Sequence, residues 1–186
     1  VPAIDPLPRT MTGGISLPSE PPPLSFGQQR LWFLDQLEPG LLAYNTPAIV
    51  RLQGKLDADA LQAALDEIVR RHEVLRTSFA TQAGRPVQII APELHIPIRR
   101  IDLTDAPEAQ REGEARREVQ ADVLQPFDLG RGPILRACLV RLAPDDHIAA
   151  ITVHHIAADG WSLGVLIDEL STLYAAVKQD EAGRGK

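Results

Sequence analysis

His154, His155, Asp159 and Gly160 fall in one short run, His-His-Ile-Ala-Ala-Asp-Gly, where a strand-like segment ends. An imidazole accepts or donates a proton near neutral pH, a carboxylate can orient it, and glycine permits tight turns and close approach. These residue types suit acyl transfer, in which an attacking group loses a proton and an oxyanion develops. If the strand ran on through both histidines, their side chains would face opposite sides of the sheet, so only one could enter a given cavity. Spacing does not choose between them. A hydrogen-bonded structural pair is one alternative reading, and a partial metal site is another, weakened because Asp159 is the only further ligand nearby.

The chain has 186 residues, 44% hydrophobic and 24% charged, which suits one soluble globular domain with a buried core. Its formal net charge of -6 argues against nucleic acid as a partner. Arg70-Arg71, Arg99-Arg100 and Arg116-Arg117 read as solvated faces rather than a basic groove. Cys138 is the only cysteine, which rules out an intrachain disulfide and a cysteine-based zinc site. It lies within Ile134-Leu-Arg-Ala-Cys-Leu-Val-Arg141 and reads as a small core residue. The chain shows neither a signal-peptide pattern nor an apolar run of membrane length, so no membrane partner is expected and a cytoplasmic location follows by default.

The elements that must position the run follow from periodicity and punctuation. Residues 1–23 are rich in Pro, Gly and Ser and read as an inter-domain linker, with the folded unit spanning residues 24–186. Ser25 caps a predicted helix carrying Gln28, Leu31, Trp32, Leu34 and Leu37. Ala48 to Leu52 is a short strand, and Asp57 caps a second helix with Leu61, Leu65, Ile68 and Val69 at helical spacing. Val74 to Thr81 and Val87 to Ile90 read as paired strands, with Ile96 to Ile101 as another. Pro107 opens a charged helix that ends before Pro126 and carries Gly113 within it. Ile134 to Leu142 and His147 to Val153 read as a hairpin around Ala143-Pro144-Asp145-Asp146. Ser162 is expected to cap a last helix through Leu166, Leu170, Leu173, Tyr174 and Val177, before a polar, glycine-containing end. The fold class expected is α/β (α+β), with helices layered on a mixed, largely antiparallel sheet.

The run also resembles the His-His-x-x-x-Asp-Gly motif of the condensation domains of nonribosomal peptide synthetases. Ser25-Phe-Gly-Gln-Gln-Arg-Leu-Trp-Phe-Leu34 is similar to that family's opening motif, and Arg71-His-Glu-Val-Leu-Arg-Thr-Ser-Phe79 to its second. Tyr44-Asn45, Pro126-Phe-Asp-Leu129 and Gly132-Pro133 match in type and order. The resemblance covers the N-terminal lobe of a chloramphenicol acetyltransferase-like fold, with a C-terminal lobe expected to supply the far wall of an active-site tunnel.

The resemblance implies amide formation between a donor acyl or peptidyl thioester and an acceptor aminoacyl thioester. Both are carried on phosphopantetheine by an upstream donor and a downstream acceptor carrier domain, and no cofactor or metal is bound directly. An adenylation domain in the same parent chain is the further expected partner, and the lobe alone is expected to be inactive. His155 is expected to contact the attacking amine, with His154, Asp159, Gly160 and Ser162 as support. Gly160 is considered for an oxyanion contact, and Ser162 as helix cap or polar lining. Arg76 is the expected partner of Asp159, and Arg76, Arg71 and Trp32 are read as a structural network. Retention of both histidines argues against heterocyclisation domains. Gly160-Trp161-Ser162 favours condensation of an L-configured donor and acceptor over epimerisation. A lobe that only docks carrier proteins is the non-catalytic alternative.

Overall fold

The computed structural model describes residues 21–184. Four helices, α1 (Phe26–Leu37), α2 (Ala58–Arg71), α3 (Glu108–Val123) and α4 (Gly160–Arg184), surround six strands. The strands are β1 (Asn45–Gln53), β2 (Thr77–Gln82), β3 (Arg85–Ile90), β4 (Ile98–Asp102), β5 (Leu135–Ala143) and β6 (Asp146–His154). The main sheet has the order β1-β6-β5-β4, and β2 and β3 form a separate ribbon. Only β4 and β5 pair parallel. They are joined through α3, because parallel neighbours need a crossover whereas β5 and β6 close with the two residues Pro144-Asp145. The sheet is thus mixed and largely antiparallel, as expected from the sequence.

One face of the sheet carries α2 and α4. Leu61, Leu65, Ile68 and Val69 of α2 pack with Leu135, Ala137, Leu139, Ile151 and Val153 of the sheet and Leu163 and Leu166 of α4. Each such side chain contributes about 2 kcal/mol on burial, so this face outweighs the cap at Asp57, worth about 1 kcal/mol. Asp57 caps α2 as read, accepting from the N–H groups of Asp59 and Ala60. Polar clamps tie α2 to α4 at both ends. At its start the Asp57 N–H donates to the Tyr174 hydroxyl at 3.0 Å, and Lys178 Nζ lies 2.6 Å from Asp57 Oδ2. At its end Arg71 and His72 reach Glu169, at 3.2 and 2.7 Å. The other face is covered by α3 through Ala115 and Val119, against Cys138, Val140, Leu142 and Ala150. Gly113 sits within α3 without breaking it.

Several boundaries differ from the expectation. Val74 to Arg76 belong to a 3-10 turn (Glu73–Arg76) rather than to β2, which begins at Thr77. The β2–β3 turn is confined to Ala83 and Gly84, both with positive φ (50° and 76°), the pattern that matches strand twist in a two-residue hairpin. The last helix begins at Gly160 and continues to Arg184, so the cap is Asp159, not Ser162. Pro22 and Pro23, at the far end of the expected linker, lie against β3: Gln88 N–H donates to Pro22 O, and Pro23 bridges Val87. The rest of that linker, residues 1–20, lies outside the described residues.

Candidate active site

β6 ends at His154, and the chain then turns tightly into α4. Ile151 and Val153 face α2 and α4, so Thr152 and His154 face the other side. His154 is buried, 3% exposed, with its backbone N–H on Ile134 O at 2.9 Å. Its Nδ1 accepts the Ile156 N–H at 3.1 Å, which puts the proton of the neutral ring on Nε2. The ring neighbours Tyr44 and Phe127, with centroids at 6.0 and 5.9 Å, the Phe127 ring nearly perpendicular. Burial, with the His155 ring adding to it, lowers the His154 pKa to about 4. This imidazole is therefore neutral at physiological pH and committed to holding the turn.

His155 is exposed. The strand has ended, so alternation no longer governs it. Its backbone N–H donates to Tyr44 O at 2.8 Å, and the Ala157 N–H donates to His154 O at 2.9 Å, so the turn is pinned on both sides of His155 while its side chain stays open.

Asp159 Oδ1 accepts from Ser162 N–H at 2.8 Å and Ser162 Oγ–H at 2.7 Å. Those two bonds hold its carboxyl below the ordinary value. Ser162 thus supports the cap rather than forming it. Arg76 lies elsewhere: its guanidinium donates to Ala91 O and to Glu73 Oε1, the latter at 3.2 Å, so the structure does not bring it to Asp159. Gly160 is the first residue of α4, and an added Cβ there would meet no protein atom within 4 Å. The lobe's own packing therefore does not demand glycine at that position.

Trp32 is buried with Phe79 (centroids 6.1 Å apart), Leu24, Phe127, Leu129, Ile134 and Ile156, in a cluster behind the turn. The opening motif, the Pro126–Leu129 segment and the histidine run thus share one small core. Arg71 bonds Glu67 at 2.7 Å as well as Glu169, placing it in the α2–α4 clamp and not beside His155. Burial pushes the Cys138 thiol up to about 11, in keeping with a core residue. Among the described residues no group of three or more His, Cys, Asp or Glu is arranged to hold a metal ion, and no helix is long and apolar enough to cross a membrane.

Sequence reasoning passed over Arg136. Its guanidinium stands 3.8 Å over the Phe127 ring and donates to Asp122 O, Gln125 O and Pro126 O. The available signal was a charged residue inside an apolar strand, Ile134-Leu-Arg-Ala-Cys.

An exposed imidazole thus stands on a tight turn between a sheet and a capped helix, next to a buried neutral one, an arrangement chemically able to hydrogen-bond or exchange a proton with a bound group. Comparison with known proteins specifies the family. The Condensation domain family matches residues 20–184, and the chain belongs to it. Chondramide synthase cmdD of Chondromyces crocatus is 49% identical over 154 residues, 83% of this chain and 4% of that protein. Phosphinothricin tripeptide synthetase PhsC of Streptomyces viridochromogenes is 46% identical over 164 residues, 88% of this chain and 15% of that protein. Among solved structures, the starter condensation domain of rhizomide synthetase RzmA superposes with a TM-score of 0.80 at 25% identity, over 87% of this chain and 38% of that one. The first condensation domain of the calcium-dependent antibiotic synthetase, in complex with a substrate analogue, gives 0.77 at 31% identity, over 87% and 39%. The chain therefore spans about two-fifths of those solved domains and a far smaller share of the synthetases.

Proposed function

We propose that this chain is the histidine-bearing lobe of a domain that joins two carrier-bound thioesters through an amide bond. The acceptor's α-amine attacks the donor thioester carbonyl. A C–N bond forms, the tetrahedral intermediate collapses with loss of the C–S bond, and the thiolate leaves with the amine's proton. The growing chain then rests on the acceptor carrier. The observation that carries this reading is the division between the two imidazoles: His154 is buried, neutral and bonded to the turn, and His155 is open on that same turn.

His155 orients the amine and hydrogen-bonds the tetrahedral intermediate, with proton removal a smaller part of its work. An α-amine of pKa about 7.8 has roughly a tenth of its molecules neutral at pH 7, so deprotonation costs only about 1.1 kcal/mol. Positioning effects are several kcal/mol larger. A carboxylate beside the amine would favour the unreactive ammonium, and the engagement of Asp159 with Ser162 supports a role for it in the helix start instead. The partners are an upstream donor and a downstream acceptor carrier domain, a second lobe that closes the tunnel, and an adenylation domain in the parent chain, all in the cytoplasm. Gly160-Trp161-Ser162 favours an L-configured donor and acceptor. In the complete domain, His155→Ala should lower amide formation by about 10²- to 10⁴-fold with carrier binding retained. Recovery of most of that rate on raising pH would refute the positioning emphasis. Carrier binding by the unaltered domain without amide formation would favour the docking alternative.

A further inference from the structure

The segment that leaves α3, Pro126 to Leu129, belongs to no strand or helix and takes one backbone bond from β2, Phe79 N–H to Leu129 O at 2.9 Å, yet it supplies the ring that packs against His154. Two side chains grip its approach. Asn45 Nδ2 donates to Val123 O at 2.7 Å and Gln125 O at 2.9 Å, and Asn45 is the β1 residue paired with His154. Arg136 Nη2 donates to the same Gln125 O at 2.7 Å and to Asp122 O at 3.1 Å, while Nη1 reaches Pro126 O at 3.3 Å. The carbonyls they take lie at the end of α3 and in the two residues after its cap; Asp122 O also accepts the Gln125 N–H at 3.2 Å. Above them the Arg136 guanidinium lies 3.8 Å over the Phe127 ring.

The geometry points to Arg136 as a positioning residue for the reaction proposed above: it fixes Phe127, Phe127 fixes the His154 ring, and His154 fixes the turn that presents His155. Each link is a contact. Arg136 meets Phe127 by cation–π stacking, Phe127 meets His154 ring to ring, His154 Nδ1 takes the Ile156 N–H, and Ile156 follows His155 in the chain. Tyr44, whose ring also neighbours His154 at 6.0 Å between centroids, accepts the His155 N–H through its carbonyl, so a shift of His154 is felt at the His155 backbone as well.

No other side chain does what arginine does here, because only a planar fork of donors can hold three carbonyls and stack on a ring at once. The arrangement is not the most stable choice for a strand. Arg136 Nε is buried without a partner, as are Asn45 Oδ1 and Asp122 Oδ2, and burial lowers the Arg136 pKa. An aliphatic residue at 136 would avoid that desolvation but could grip nothing.

This inference rests on the amide-forming reading only for its kinetic arm, so both arms are measured on the complete domain. Arg136→Ala should lower kcat by about 10- to 100-fold with KM for both carrier substrates within about two-fold, the loss that about 1 Å of misplacement brings. Phe127→Leu should do the same, and the double variant should be no worse than the worse single, because both act through one contact. The second readout is the His154 imidazole followed by NMR: its pKa should climb from about 4 toward 6.5 in Arg136→Ala as Phe127 releases the ring. Arg136→Lys, which keeps the charge without the fork, carries both readouts if the alanine variant does not fold. Val119→Ala, a cavity under α3 away from Phe127, controls for lost stability. Unchanged kcat in a folded Arg136→Ala, a loss no greater than that of Val119→Ala at matched stability, or additive kcat effects in the double variant would overturn the assignment. If the unaltered domain forms no amide, the proposed function fails by itself, and an unchanged His154 titration in the Arg136 variants would then refute the positioning role independently.

Discussion

Burial holds the His154 imidazole neutral with a pKa near 4, against 6.5 for an ordinary histidine, and that difference is a statement about stability. Between those values the unfolded chain binds a proton at residue 154 and the folded chain does not. Stability is therefore complete above pH 6.5, falls as pH drops through the window, and stops falling on this account below pH 4. At pH 5 the loss from His154 amounts to about 2 kcal/mol. Urea unfolding at pH 7.5 and pH 5 should show His154→Phe losing less stability than the unaltered chain by about that amount. An identical loss in both proteins would mean that the ring is already hydrated in the fold. Thr152, two residues earlier on the same face, is fully buried and its hydroxyl has no partner. Thr152→Val keeps the shape and removes the orphaned hydroxyl, so it should raise stability by about 1 kcal/mol in the same assay. His155 was singled out in the sequence by resemblance and His154 by adjacency. What made them different, the end of β6 at residue 154, is a matter of a single residue that periodicity does not locate.

At the scale of elements, the start of α4 shows how a correct element can carry the wrong cap. Asp159 and Ser162 are both strong N-cap types and stand three residues apart, so the sequence supports either. The turn after His154 is tight, which brings Asp159 to the cap position and leaves Ser162 donating to it. Asparagine caps as well as aspartate, so Asp159→Asn should keep the melting temperature close to that of the parent while Asp159→Ala lowers it. Equal losses in the two variants would show that the charge, not the cap, is what matters. A second joint lies between the turn after α1 and the segment after α3. Gly40 has φ 77°, and a Cβ there would stand 2.9 Å from Pro126 Cβ. Gly40→Ala should therefore cost about 1–2 kcal/mol in chemical denaturation, through backbone strain and displacement of Pro126. Nothing in the local sequence links residue 40 to residue 126, although Pro39-Gly40 is legible as a helix stop.

At the scale of the molecule, the chain spans about two-fifths of the solved condensation domains it resembles, and the proposed reaction needs the rest. The chain by itself should fold, seen as a cooperative urea transition, and yield no amide by mass spectrometry with both carrier substrates, whereas the complete domain should yield it. Amide formation by the isolated lobe would show that one wall suffices. The helices, the β5–β6 hairpin and the family were written in the sequence, because capping residues, period-3.6 and period-2 hydrophobicity and long ordered motifs are properties of neighbours along the chain. The parallel pairing of β4 with β5, the separation of the β2–β3 pair from the main sheet and the placement of α3 opposite α2 and α4 were not. Neither was the grip of Arg136 and Asn45 on the end of α3. Those depend on contacts between residues far apart in the chain, which no local pattern encodes. The sequence alone determined which residues could do chemistry. The tertiary structure decided which imidazole is exposed, because burial against Tyr44 and Phe127 ties His154 into the scaffold while His155, one residue past the strand end, stays in the open.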